Sequence, residues 1–167
     1  SVLSLNIFSK DETTQFDDSF NKVDREFNTI ENSQGASIGF ERSINKLTHN
    51  IQGSYFLSDK KSTSLSVANS KGTRTSASYT GTLNSNAKRT YVFGMDYVED
   101  KMNNSNSLYP SVLINKGNNI TGLFGQGILA LNNDLNLTLG LRQDSHSDFG
   151  GHTSTRITSA YNLNNKL

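Results

Sequence analysis

The chain has 167 residues, of which 33% are hydrophobic, with Lys and Arg numbering 16 against 15 Asp and Glu, no Cys and no Trp. Asn, Ser and Thr together supply 59 of the 167 residues, which is too polar for the dry core of an ordinary globular domain and too weakly charged for a disordered one. A net charge of +1 offers no electrostatic argument for nucleic acid, zero Cys excludes disulfides and thiolate catalysis, and no apolar run approaches the roughly 18 residues of a spanning helix.

Eight β-strands are predicted. The first sets Leu3, Leu5 and Ile7 against Ser4 and Asn6. A polar connection at about 11 to 34 follows, where Asp11, Glu12, Asp17, Asp18, Asp24, Glu26 and Glu31 outnumber Lys10, Lys22 and Arg25; it reads as an acidic shielding loop. The second strand opposes Ile38, Phe40 and Ile44 to Ser37, Gly39, Glu41 and Ser43, and ends at a tight turn over 45 to 46. The third, at 47 to 58, carries Leu47, His49, Ile51, Gly53, Tyr55 and Leu57 on one face and Thr48, Asn50, Gln52 and Ser54 on the other. After a connection at 58 to 72, Arg74, Ser76, Ser78 and Thr80 oppose Thr75, Ala77, Tyr79 and Leu83, up to a turn at 84 to 87.

The fifth strand, 88 to 99, sets Tyr91, Phe93, Met95 and Tyr97 opposite Thr90, Gly94 and Asp96, and runs into a long connection at 100 to 117 that contains the single proline, Pro110. In the sixth, 119 to 130, Gly122, Gly125 and Gly127 interrupt both faces, so the pattern assigns neither; the glycines point to a bulge or to close packing. A turn at 132 to 134 leads to the cleanest strand, 134 to 143, where Leu135, Leu137, Leu139 and Leu141 alternate with Asn136, Thr138, Gly140 and Arg142. A connection at 143 to 152 then precedes a last strand with Ile157, Tyr161 and Leu163 opposite Ser154, Arg156, Thr158 and Asn162, and a final turn at 164 to 166.

Short Asn-bearing turns thus alternate with long polar connections, the asymmetry of an outer-membrane β-barrel with tight turns on one rim and long loops on the other. The strands suit that reading, being mostly longer than the five or six residues common in soluble sheets and close to the roughly 9 to 11 needed to cross a bilayer. Tyr55 and Phe56 precede one long connection and Tyr97 another, while Tyr79 and Tyr161 precede tight turns, as in the aromatic girdles of such barrels.

The stretch from Gly140 to Tyr161, with Gly140, Arg142 and Asp144, then Ser147, Phe149 and Gly150, and finally Ala160 and Tyr161, resembles the barrel of TonB-dependent outer-membrane receptors. Within that family its nearest likeness is to the vitamin B12 (cobalamin) receptor branch. The resemblance implies an all-β, antiparallel up-and-down transmembrane barrel of about 22 strands, to which this chain contributes eight. It implies residence in the bacterial outer membrane and energy-coupled uptake of a scarce nutrient of cobalamin or iron-siderophore type. The implied partners are outer-membrane lipid, a plug domain, the TonB system and a small-molecule ligand. Because the pattern opens inside a strand and stops as another begins, residues 1–167 are expected to be an internal fragment of the barrel domain, with the plug domain lying outside it. A complete small eight-stranded barrel serving as an adhesin or structural protein is the alternative, and a β-sandwich adhesin with a dry core is a third possibility.

No catalytic, cofactor-binding or metal-binding residue is assigned, no cofactor is implied, and the ligand-contacting residues are not identified. Gly-x-Ser-x-Gly, His-Glu-x-x-His and phosphate-loop patterns are absent, so the chain is not read as an enzyme. Asp144, His146, Asp148 and His152 have the donor types for a divalent metal, yet a solvated extracellular loop is the preferred reading. The same holds for Asp96, Glu99, Asp100, Lys101, Asn103 and Asn104, which lack the EF-hand spacing. Arg74, Arg142 and Arg156 fall on polar faces and should pair inside the barrel with carboxylates such as Glu41. Arg42 shares the parity of Ile38 and Phe40 and should snorkel or mark a bulge, and His49 should be interfacial.

Overall fold

A computed structural model of the chain describes residues 1–18, 23–109 and 113–163. It contains eight strands in chain order: β1 (Val2–Asp18), β2 (Val23–Ile44), β3 (Leu47–Thr63), β4 (Val67–Asn86), β5 (Arg89–Asn106), β6 (Ile114–Ala130), β7 (Leu135–His146) and β8 (Gly150–Tyr161). They form one antiparallel sheet in the order β1-β2-β3-β4-β5-β6-β7-β8, each strand paired with its sequence neighbour. Among the described residues β1 and β8 do not pair with each other, so the sheet is open along both edges. A closed eight-stranded barrel would need that pairing.

Register fixes the faces, because residues directly opposite in an antiparallel pair point to the same side. One row runs Leu3, Phe40, Ile51, Tyr79, Met95 and Leu123 across six strands. A second, nearer the tight turns, runs Ile44, Leu47, Leu83, Tyr91, Gly127, Leu139 and Ile157. On the opposite face the row Ser4, Gly39, Gln52, Ser78, Asp96, Gly122, Asp144 and His152 is polar throughout. Hydroxyl pairs bridge neighbouring strands there, such as Ser54 Oγ with Ser76 Oγ at 2.7 Å.

No hydrophobic side chain is buried among the described residues, and Leu123, Leu141 and Met95 are 56%, 56% and 48% exposed. A soluble monomer does not present an apolar face this broad, and a sandwich would have buried it between two sheets. The face is built for hydrocarbon, and its vertical extent agrees: on β2 the outward residues Ile44, Phe40, Ile38 and Ala36, interrupted by Arg42 near the tight turn, span about nine residues, the length a strand tilted by about 45° needs to cross a bilayer.

The long polar connections expected from sequence are mostly strand. β1 and β2 remain paired from Val2↔Glu41 up to Phe16↔Phe27, and the connection expected at 58 to 72 shrinks to 64–66. Likewise β5 and β6 stay paired up to Asn104↔Ile114, and 147–149 is all that separates β7 from β8. Antiparallel pairing satisfies backbone N–H and C=O groups whatever the side chains are, so the hairpins continue beyond the apolar belt with mostly polar residues on both faces. Pro110, the turn expected at 164 to 166, and the side chains of Asp18, Lys22, Asp24, Arg25 and Glu26 lie outside the described residues.

The short turns are set locally. Asn45 adopts φ 54°, the left-handed conformation that Asn tolerates better than other side chains, and so closes the two-residue link between Ile44 and Leu47. The next tight turn falls at 87–88, beyond Asn86, whose side-chain carbonyl accepts the Lys88 N–H at 2.9 Å. Asn132 Oδ1 does the same for the N–H groups of Asp134 and Leu135, at 2.9 and 2.8 Å.

Candidate functional site on the polar face

The polar face holds an ionic cluster at mid-height. Arg142 on β7 donates through Nη1 and Nη2 to the two carboxylate oxygens of Asp96 on β5, at 2.7 and 2.8 Å. The same guanidinium engages Asp144, through Nε at 2.9 Å and Nη2 at 2.7 Å. β6 lies between β5 and β7, and Gly122 is the residue opposite both carboxylates. A Cβ at Gly122 would lie 2.7 Å from Arg142 Cζ and 2.8 Å from Asp144 Oδ1. The missing side chain is what lets the arginine reach across a whole strand. Phe124, directly opposite Arg142, places its ring 5.8 Å from the guanidinium carbon.

This also resolves the strand whose faces the alternation left open. Leu123 and Leu129 point with the apolar rows, while Gly122, Phe124, Gln126 and Ile128 point to the polar side. Pairing through β6 has no register shift, so its glycines mark close packing, at Gly122, rather than a bulge.

Nearer the long-strand rim, Arg74 donates to both oxygens of Asp100 at 2.7 and 2.8 Å, and Phe8 stacks on Phe56 at a centroid distance of 6.0 Å. Phe56, Arg74 and Asp100, with Met102, Lys116 and Asn118, border a hollow of ≈ 910 Å³ on the polar face. Phe56 therefore faces inward, which corrects its place in an aromatic girdle. Tyr55 and Tyr97 mark the upper boundary of the apolar belt and Tyr91 and Tyr161 the lower. Tyr79 sits within the belt instead, its hydroxyl 3.0 Å from His49 Nδ1, so two polar groups on the apolar face satisfy each other.

The candidate arginines, histidines and carboxylates of the strands take the following places. Arg142 and Arg74 pair with Asp96, Asp144 and Asp100 rather than with Glu41, which receives Asn50 Nδ2 at 3.4 Å. Arg156 faces the polar side opposite Gly140. Arg42 lies on the apolar side opposite His49, close to the tight turn at Asn45 and with no bulge, where a long side chain can snorkel to water. Asp144 is committed to Arg142, while His146 accepts the Asp148 N–H at 3.0 Å and packs on Phe149 at 4.6 Å. Among the described residues no group of three or more His, Asp or Glu is placed to hold a metal. The acidic run after Asp96 is split by strand alternation, with Asp100 and Asn104 on the polar face and Glu99, Lys101 and Asn103 on the other. The signal that would have found the Arg142 cluster is a glycine on the middle strand of three, and single-strand periodicity does not carry it.

Comparison with known proteins adds identity to this geometry. No curated protein sequence matches the chain significantly. Among solved structures it is similar to the siderophore receptor PirA from Pseudomonas aeruginosa, with a TM-score of 0.61 and 19% identity over 82% of this chain and 25% of that one. It is similar also to the siderophore receptor PiuA from Acinetobacter baumannii, with a TM-score of 0.57 and 11% identity over 94% of this chain and 36% of that one. At these identities the likeness establishes the fold, and the chain spans about a quarter to a third of the length of those structures. Residues 3–167 match the family described as TonB dependent receptor-like, beta-barrel, and the chain belongs to that family.

Proposed function

We propose that residues 1–167 form part of the barrel wall of a TonB-dependent receptor in the bacterial outer membrane, one that takes up a ferric siderophore. The observation that carries this reading is the two-faced sheet. An apolar belt suits lipid outside, an ion-paired polar wall suits a wet or plugged interior, and hairpins extended beyond the belt suit ligand capture at the cell surface. In this reading a plug domain and the TonB system act from outside these residues, and the long-strand rim is extracellular.

Siderophore is preferred as cargo because the similar structures include a siderophore receptor, a ferric enterobactin receptor and a ferric yersiniabactin uptake receptor. The likeness of residues 140–161 to the cobalamin branch gains no support from them. The inward hollow, where Arg74 is held by Asp100, offers the ring of Phe56 and the ammonium of Lys116 to a ligand that carries acidic iron-chelating oxygens.

The test is uptake. The complete receptor is expressed in a bacterium stripped of its own siderophore receptors, and radioactive iron is supplied on a panel of siderophores, with radioactive cobalamin in parallel. Iron accumulation that disappears when TonB is deleted supports the proposal. Cobalamin uptake without iron uptake would overturn the cargo, and transport indifferent to TonB would overturn the mechanism.

A further inference from the structure

Beyond the Arg142 cluster, toward the long-strand rim, the polar face answers most of its own charges. Lys10 binds Glu12 on the same strand, Lys60 stands directly opposite Glu31, and Arg74 gives two hydrogen bonds to Asp100. Lys116 faces Met102 rather than a carboxylate, and Asp148 borders the same hollow. A cation held against a carboxylate acts at a distance as a dipole, whose field fades faster than that of a single charge and is screened further by salt. This stretch of wall therefore has little net attraction for a polyanion.

A second recess, of ≈ 520 Å³, continues the hollow on the side away from the tight turns, with Ser70 bordering both. Ser62, Ser70 and Asn104 line it with hydroxyl and amide groups. Asn104 on β5 lies opposite Ser70 on one side and Ile114 on the other, and its Oδ1 is buried with no hydrogen-bond donor among the described residues. A buried carbonyl oxygen left without a donor is costly. Oδ1 gives up no hydrogen bond by turning into the recess, and gains one if a bound molecule presents an N–H there.

We propose that the ferric siderophore taken up here is of the tris-hydroxamate class, without net negative charge, and that an amide N–H of its backbone donates to Asn104 Oδ1. The proposal rests on the siderophore reading above and narrows its chemistry. Three hydroxamates balance the charge of iron(III), whereas three catecholates leave a polyanion. A polyanion seated on this wall would lose hydration and meet no net countercharge. A neutral complex with amide N–H groups loses less and satisfies the orphaned acceptor. The ammonium of Lys116 suits the partial negative charge that stays on its chelating oxygens.

The complete receptor, purified and folded, is titrated with a peptide-linked ferric tris-hydroxamate and with a ferric tris-catecholate, both carrying radioactive iron, and uptake of each is followed in cells. The parent should bind and import the hydroxamate in preference. Asn104→Leu should weaken hydroxamate binding by about tenfold, while Asn103→Leu, one residue away on the opposite face, should leave it unchanged. Asp100→Asn, which releases Arg74, should strengthen catecholate binding by roughly fivefold. Preference of the parent for the catecholate, parental hydroxamate binding by Asn104→Leu, an equal loss in Asn103→Leu, or indifference of catecholate binding to Asp100→Asn would each overturn the proposal. TonB-dependent import of the catecholate would do so while leaving the siderophore reading intact, and import of neither iron complex would instead count against that reading.

Discussion

Arg142 and Asp96 are 46 residues apart and sit on strands that do not touch, yet they share two hydrogen bonds of 2.7 and 2.8 Å across the bare backbone of Gly122. The pair ties β5, β6 and β7 together on the side of the sheet that no lipid touches. Arg142 and Asp96 side chains retain 35% and 28% exposure, so the bond is partly screened.

Replacing Gly122 by leucine should push Arg142 off both carboxylates and strand Asp96 and Asp144 beside each other. We expect a loss of roughly 1–3 kcal/mol in barrel stability, read as a lower urea midpoint for the folded receptor in lipid. Arg142→Met should lose a similar amount and the two changes together little more, because both remove one interaction. Additive losses would show that Gly122 matters for some other reason.

The two faces should respond oppositely to charge. Met95→Lys, in the middle of the apolar belt, should cost about 2–4 kcal/mol of folding free energy into vesicles, whereas Gln52→Lys on the polar face should cost less than about 1 kcal/mol. Equal costs at the two positions would contradict the facing derived from register.

At the tight rim, Asn45 is held at φ 54°. Asn45→Gly should be close to neutral, since glycine enters this region freely, and Asn45→Val should destabilise by roughly 1–2 kcal/mol. The comparison is made by thermal melting of the folded barrel. A valine variant as stable as the glycine variant would mean that the turn has another accessible geometry.

How much of this was legible in the sequence follows from what periodicity measures. Alternation in β7, Leu135 to Arg142, reports the contrast between lipid and a wet interior, so it located the belt and assigned faces on seven strands. It fell silent where both faces meet water, which is why Thr29 and Ser62, 3.1 Å apart in a paired stretch, were read as loop residues. It failed on β6 because glycine has no side chain to declare a face. The ion pairs were legible in type, arginines on polar faces, but not in partner, because Arg142 passes over its nearest strand. Tyr79 was misplaced because an aromatic near a turn in sequence need not be near the membrane boundary in height.

The central claim is that outward residues touch hydrocarbon while their neighbours one position along face a wet interior. Residues 1–167 contain no cysteine, so once any cysteine elsewhere in the complete receptor is replaced, single-cysteine spin labels can be placed at each position from Leu135 to Arg142. In bilayers, labels at Leu135, Leu137, Leu139 and Leu141 should collide with dissolved oxygen and be shielded from a water-soluble nickel reagent, and labels at Asn136, Thr138, Gly140 and Arg142 should show the reverse. Accessibility that does not alternate along β7, or that alternates with the leucines shielded from oxygen, would contradict the account.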